Sequence, residues 1–195
     1  MKIGVLALQG DFAEHVHVLE SLGVEVVEVR LPQQLEDLDG LIIPGGESTT
    51  IGKLSVDFGL FEPLKRFGKD HAIWGTCAGA IFLSRDASRS QPLLGLMDIR
   101  VERNAFGRQV DSFEADLDIE PLKKATGTSQ SYHAFFIRAP IITSVGASAR
   151  VLSSLPDGRI IAAIQGKLLA TSFHPELTDD PRFHQYFLSL VELKQ

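Results

Sequence analysis

The sequence predicts an α/β protein: a single-domain, three-layer fold with a mostly parallel central sheet, helices on both faces and added antiparallel strands. Three observations carry this. The first 29 residues read as a short apolar run, an amphipathic run and a second short apolar run, the strand-helix-strand unit from which parallel sheets are built. Two more short apolar runs, 40–43 and 72–74, each lead into a glycine-bearing turn. Beyond about residue 99 the texture changes to short β-rich runs separated by turn signals.

Taken in order, residues 2–8 are apolar and bounded by Gly10-Asp11, as expected of a buried strand. Residues 11–22 place Phe12, Val16, Leu19 and Leu22 on one side of a helix, with Asp11 as N-cap and Gly23 as stop. Residues 24–29 are the next strand. Strand 40–43 runs into Pro44-Gly45-Gly46, and Ser48 or Thr49 is placed to cap a short helix reaching toward Leu54. A helix over 58–69 precedes strand 72–74 and a tight turn at Cys77. In the second half, strands are predicted over 110–119, 135–137, 141–145, 151–155, 160–165 and 168–173. Turns fall at Pro156-Asp157-Gly158 and Gln165-Gly166-Lys167. The polar stretch 123–131, KKATGTSQS, is expected as an exposed loop. Residues 180–192 close the chain as a helix carrying Phe183, Phe187, Leu190 and Val191. No linker divides the chain, so residues 1–195 are expected to form one domain.

Composition narrows the function classes. The 195 residues are 44% apolar and 23% charged, with a net charge of −6 and no run of Lys or Arg. That argues against nucleic acid or an anionic membrane as the main partner. No apolar stretch approaches the length of a membrane-spanning helix, and the N-terminus lacks the features of a secretory signal. A single cysteine excludes an intramolecular disulfide and fits a reducing cytoplasm.

That cysteine is the centre of the chemical reading. Cys77 lies in GTCAGA, residues 75–80, directly after an apolar strand. Gly75-x-Cys77-x-Gly79 between strand and helix has the spacing of a nucleophile elbow, where glycines two residues either side avoid clashes. The N-terminus of the following helix favours a thiolate, and the Ala78 N–H is placed for an oxyanion. Spacing alone leaves open a structural cysteine at a glycine-rich bend. A thiol nucleophile needs a base, and the base an orienting group. Of six histidines, His174 stands out in His174-Pro175-Glu176, at the end of a strand and with an acid two residues on. His15 and His17 are expected on the surface of a helix; His71, His133 and His184 have no acid at a telling spacing. In IIPGGEST, residues 42–49, Gly45 and Gly46 leave backbone N–H groups accessible for an oxyanion hole, and Glu47 and Ser48 suit a small polar substrate.

Cys77, His174 and Glu176 in this order resemble the class I, triad-type glutamine amidotransferases. Six segments narrow the resemblance: ALQGDFAEH at 7–15, PGGEST at 44–49, GTCAGAI at 75–81, RNAFGRQ at 103–109, FIRAP at 136–140 and SFHPEL at 172–177. Together they resemble one branch, the glutaminase subunits of two-component pyridoxal 5'-phosphate synthases, over nearly the whole chain. Tyr132-His133-Ala134-Phe135 departs from that branch's glycine-containing approach to FIRAP.

The resemblance implies hydrolysis of L-glutamine to L-glutamate and ammonia by Cys77, with His174 as base and Glu176 orienting it. It implies glutamine contacts from Gly46, Glu47, Ser48, Arg103, Ile137 and Arg138, and an oxyanion hole from the backbone at Gly45 and Ala78. It places Gln9 near the oxyanion strand. The sequence itself shows no metal cluster and no phosphate loop, and Glu47 after Gly45-Gly46 would repel a phosphate, so no cofactor and no metal are expected in this chain. The ammonia acceptor is then a separate synthase subunit, in a twelve-subunit core decorated by glutaminase subunits, and pyridoxal phosphate is made there. It also implies little activity in the free subunit, for which a Gly45-Gly46 peptide that turns on docking offers a route. The alternatives are a glutaminase subunit of another amidotransferase such as imidazole glycerol phosphate synthase, a stand-alone cysteine hydrolase, and a non-catalytic subunit that retains the fold.

Overall fold

A computed structural model of the chain describes residues 1–88, 90–103 and 112–193. The first half builds the parallel side of the sheet. Strand β1 (Lys2–Leu6) is followed by α1 (Phe12–Ser21), β2 (Glu25–Val29) and a 3-10 turn over Pro32–Leu35. Then come β3 (Gly40–Ile43), α2 (Ser48–Asp57), α3 (Phe61–Asp70), β4 (Ala72–Thr76) and the short α4 (Ala78–Leu83). The second half adds β5 (Ser84–Asp86), β6 (Met97–Glu102), β7 (Ser112–Leu117), α5 (Glu120–Thr126), β8 (Tyr132–Ile137), β9 (Ile141–Val145), β10 (Arg150–Ser154), β11 (Ile160–Gln165) and β12 (Leu168–Thr171). A 3-10 turn over Pro175–Leu177 and α6 (Arg182–Val191) end the described chain.

The main sheet runs β2-β1-β3-β4-β12-β11-β9-β6-β5, with β10 joined to β11. β2, β1, β3, β4 and β12 are mutually parallel, and antiparallel pairing begins at β11. This is the predicted architecture. Successive side chains along a strand face opposite sides. Leu41 and Ile43 accordingly join one core, with Ile51, Leu64 and Phe82 from α2, α3 and α4. Ile42 and Trp74 join the other, with Leu19 of α1 and Phe183 and Phe187 of α6. Full burial of each such side chain contributes about 1.5–3 kcal/mol.

Strand order reverses at β1, which lies between β2 and β3, so the loops after β1, β3, β4 and β12 surround a crevice at the strands' C-terminal ends. Separate from the main sheet, β7 and β8 pair antiparallel and stack Phe113 on Phe136. That ribbon reaches the crevice through β8, whose Phe135 carbonyl accepts from the His174 N–H at 2.9 Å.

Local expectations were corrected in several places. Asp11 holds the N-cap position of α1, but its side chain makes no cap hydrogen bond to the described residues. The cap of α2 is Glu47, not Ser48 or Thr49: its carboxylate accepts from the N–H groups of Thr49 and Thr50. The stretch 58–69 divides, α3 beginning only at Phe61 after the positive-φ Gly59. The expected loop 123–131 is helical through Thr126 and stops at Gly127, left-handed at φ 68°. Residues 110 and 111 of the predicted 110–119 strand lie outside the described residues.

Gly79 shows how tightly α4 is seated. A Cβ there would collide with the carbonyl oxygen of Ile43 on β3, a backbone atom that cannot swing away. Gly79→Ala is therefore expected to cost about 1–3 kcal/mol, as overpacking does. Differential scanning calorimetry should show a melting temperature lower by roughly 3–10 °C; an unchanged transition would mean that α4 is free to move off the sheet.

Candidate active site

Cys77 joins β4 to α4 with φ 48° and ψ −106°, a conformation that disfavours any residue with a side chain. Gly75 and Gly79 make it feasible, because a Cβ on Gly75 would meet the backbone of Gly79 at 2.5 Å. The Cys77 N–H donates to the Thr171 carbonyl on β12 at 2.8 Å, fixing the elbow to the neighbouring strand. The thiol is thereby turned out of the sheet at the N-terminus of α4.

His174 follows β12 and reaches the same point. Its ring is close enough to Cys77 for the sulfur to favour its charged form, and its Nδ1 lies 2.6 Å from Glu176 Oε1. Asp11 Oδ2 is 3.6 Å from the same nitrogen. Gly45 lies flat against the imidazole: a Cβ on it would be 2.7 Å from His174 Cε1. Burial works against charge on His174, but the hydrogen bonds and charges of Cys77 and Glu176 outweigh it and raise the histidine above its usual range. Burial also raises Glu176, despite the hydrogen bond to His174 that lowers it. The two groups compete for one proton and titrate as a pair. With Cys77 adding to the pull on the imidazole, the geometry favours the proton on His174. Asp11, His174 and Glu176 also bring ligand-type atoms within 4.8 Å of one another. The imidazole and carboxylate atoms of that group already serve their mutual hydrogen bond.

These residues open onto a cavity of about 440 Å³. Gly46, Glu47, Ser48, Ala78, Arg103, Ile137 and Arg138 all line it beside Cys77 and His174. Glu176 and Gly45 stand behind His174 and off the cavity wall. The Gly45 carbonyl accepts from the Asp11 N–H at 3.3 Å, and Gln9 Oε1 accepts from the Glu47 N–H at 2.7 Å. Gln9 thus reaches the turn after Gly45-Gly46 itself. Glu47 is tied to Arg103 at 2.8 Å as well as to its helix, which holds its carboxylate at about 2 against the opposing effect of burial. Arg103 is described, but the rest of RNAFGRQ, residues 104–109, lies outside the described residues. Arg138 follows β8 with φ 43°, a further non-glycine strain beside the site.

One histidine was misread from sequence. His15 is wholly buried, not on the surface, and His184 is wholly buried with it. Both pack edge-on against Trp74. His15 Nε2 lies 3.3 Å from Glu176 Oε2 and 3.3 Å from Thr76 Oγ1, and its Nδ1 is 2.9 Å from His184 Nε2. Pro140 and Leu177 also line the cavity, and their signal in the sequence was their place in FIRAP and SFHPEL. His15 had one, its place in ALQGDFAEH.

The sequence matches the SNO glutamine amidotransferase family over residues 5–193. It is 57% identical over 195 residues to a pyridoxal 5'-phosphate synthase subunit PdxT of Herpetosiphon aurantiacus, covering 97% of this chain and 100% of that one. It is 57% identical over 190 residues to the protein of the same name from Pelotomaculum thermopropionicum, covering 96% and 94%. The fold superposes on a crystal structure of a glutamine amidotransferase with a TM-score of 0.90 and 49% identity, over 98% of this chain and 99% of that one.

The Glu47 cap makes a pH prediction. Its carboxylate is depressed from 4.5 to about 2 in the folded chain, so its stabilisation is present above about 4.5 and is lost as pH falls toward 2. The gap in melting temperature between the native chain and Glu47→Gln is expected to be constant above pH ~5 and to close as the pH falls below the unfolded value. A gap independent of pH down to the acid transition would show that the carboxylate's charge plays no part.

Proposed function

The chain belongs to the SNO glutamine amidotransferase family, and from that premise we propose that residues 1–195 form one glutaminase domain hydrolysing L-glutamine to L-glutamate and ammonia. The observation that carries this is the line Cys77–His174–Glu176, whose first two members stand at the wall of a cavity that also presents Arg103 and Arg138. An arginine suits the substrate's α-carboxylate through paired hydrogen bonds. Gly46, Glu47, Ser48 and Ile137 complete the enclosure.

In this reading the proton sits on His174 and the sulfur of Cys77 attacks the side-chain carbonyl carbon of glutamine. Backbone N–H groups at the Gly45-Gly46 turn and Ala78 face the developing oxyanion. Collapse breaks the C–N bond, and His174 gives its proton to the departing nitrogen, releasing ammonia and leaving a thioester. His174, now neutral, takes a proton from water, which hydrolyses the thioester to glutamate. Glu176 holds the ring orientation throughout.

Ammonia that reaches water is protonated and ceases to be a nucleophile, so its acceptor must be close. The 57% identical relatives are named as subunits of pyridoxal 5'-phosphate synthase, which supports a separate synthase subunit as that acceptor. The family resemblance supports a twelve-subunit synthase core decorated by chains like this one, working in the cytoplasm. Dependence on the partner has a physical place: among the described residues the Gly45 carbonyl accepts one backbone hydrogen bond, from the Asp11 N–H at 3.3 Å, and turning that peptide would re-aim the Gly46 N–H.

The test is glutamate release by the purified chain, alone and with the synthase subunit. Addition of the partner is expected to raise the rate about a hundredfold or more, the worth of one oxyanion donor. Cys77→Ala should abolish activity, and Glu176→Gln should lower kcat about a thousandfold or more. Equal rates with and without the partner would overturn the partner assignment, and an active Cys77→Ala would overturn the triad.

A further inference from the structure

The proposed triad uses one oxygen of Glu176. The other, Oε2, is fully buried and has no hydrogen-bond partner among the described residues. The group facing it is His15 Nε2, at 3.3 Å. Behind His15 lies His184, whose Nδ1 is likewise buried without a partner. These two facts settle the proton positions on both rings. If His15 carried its proton on Nδ1, its bare Nε2 lone pair would face a carboxylate oxygen, and His184 would keep its proton on the partnerless Nδ1. A buried unmatched N–H beside a repulsive contact is the costlier arrangement. The alternative satisfies both rings: His184 Nε2–H donates to His15 Nδ1 at 2.9 Å, and His15 Nε2–H donates to Thr76 Oγ1 at 3.3 Å while facing Glu176 Oε2 at the same distance. Only an acceptor, His184 Nδ1, is then left over.

We propose, on the glutaminase reading above, that His15 and His184 are positioning residues that extend the triad inward: the His15 Nε2–H clamps the free oxygen of Glu176 and holds its carboxylate anionic and aimed at His174. The clamp works because it is neutral. Burial lowers both rings, His15 well below its usual range and His184 to about 3. A charged His15 would draw the carboxylate away from His174. A neutral donor fixes it and leaves the charge to the catalytic imidazole. The same N–H touches Thr76, the residue before Cys77, so one ring references acid and nucleophile to each other. The groups that act on this cluster are His174 from its own segment, Asp11 at the start of α1, His184 of α6, Tyr132 of β8 and Cys77.

Two measurements test this. In glutamate release by the chain with its synthase partner, His15→Leu is expected to lower kcat roughly ten- to a hundredfold with KM changed less than about threefold. The acidic limb of its kcat/KM profile should move up by about one pH unit, because Glu176 loses a donor that favours its anion. His15→Gln, which restores an N–H near Nε2, should recover about tenfold of the loss. Loss of packing alone would move neither the limb nor the rescue. A folded His15→Leu with native kcat and native limb overturns the proposal. Nitrogen-15 histidine NMR of the native chain reads the same clamp without activity: both rings should be neutral with the proton on Nε2 from pH 6 to 9. A proton on His15 Nδ1 overturns the proposal even if His15→Leu fails to fold. No glutamate from the native complex would instead sink the glutaminase reading, leaving the NMR result to decide the clamp.

Discussion

The site depends on holding Cys77 in a backbone conformation that costs of the order of 1–3 kcal/mol for a residue with a side chain. That cost is met by the sheet. Parallel pairing of β3, β4 and β12 is regular up to the elbow, Thr76 opposite Thr171, and the Cys77 N–H then continues the ladder by donating to Thr171. The glycines at 75 and 79 let α4 start at once and lie against β3. The thiol is therefore presented by a backbone that the neighbouring strands and α4 hold on both sides.

A second constraint follows from burial. Glu176 is a buried carboxylate, and a buried charge is tolerated only where hydrogen bonds surround it. Here the surroundings are histidines: His174 at 2.6 Å on the cavity side and His15 at 3.3 Å on the core side. The β7–β8 ribbon supports this arrangement by accepting the His174 N–H at Phe135. An element apart from the main sheet thus sets the base against the nucleophile.

Much of this was legible in the sequence. Short apolar runs ending in glycine turns announced the parallel strands, Gly75-x-Cys77-x-Gly79 announced the elbow, and His174-Pro175-Glu176 announced the paired imidazole and carboxylate, because each is written in a local pattern. What stayed hidden depended on three-dimensional neighbours. His15 sits in a polar-looking helical stretch, and only the packing of α1 and α6 around Trp74 buries it beside His184. Ser48 and Thr49 looked like caps, but Glu47 has the longer reach and Arg103 to hold it. The 123–131 loop was misjudged because Gly127 marks a helix end, and the helix before it is held by Leu122 in the core.

The central claim is that Cys77 becomes covalently acylated. Acid quenching of the chain turning over glutamine with the synthase subunit, followed by peptide mass spectrometry, tests it most directly. The account predicts a glutamyl group on the peptide containing Cys77 and on no other. Steady glutamate release with Cys77 unmodified throughout, or with the adduct elsewhere, would contradict it.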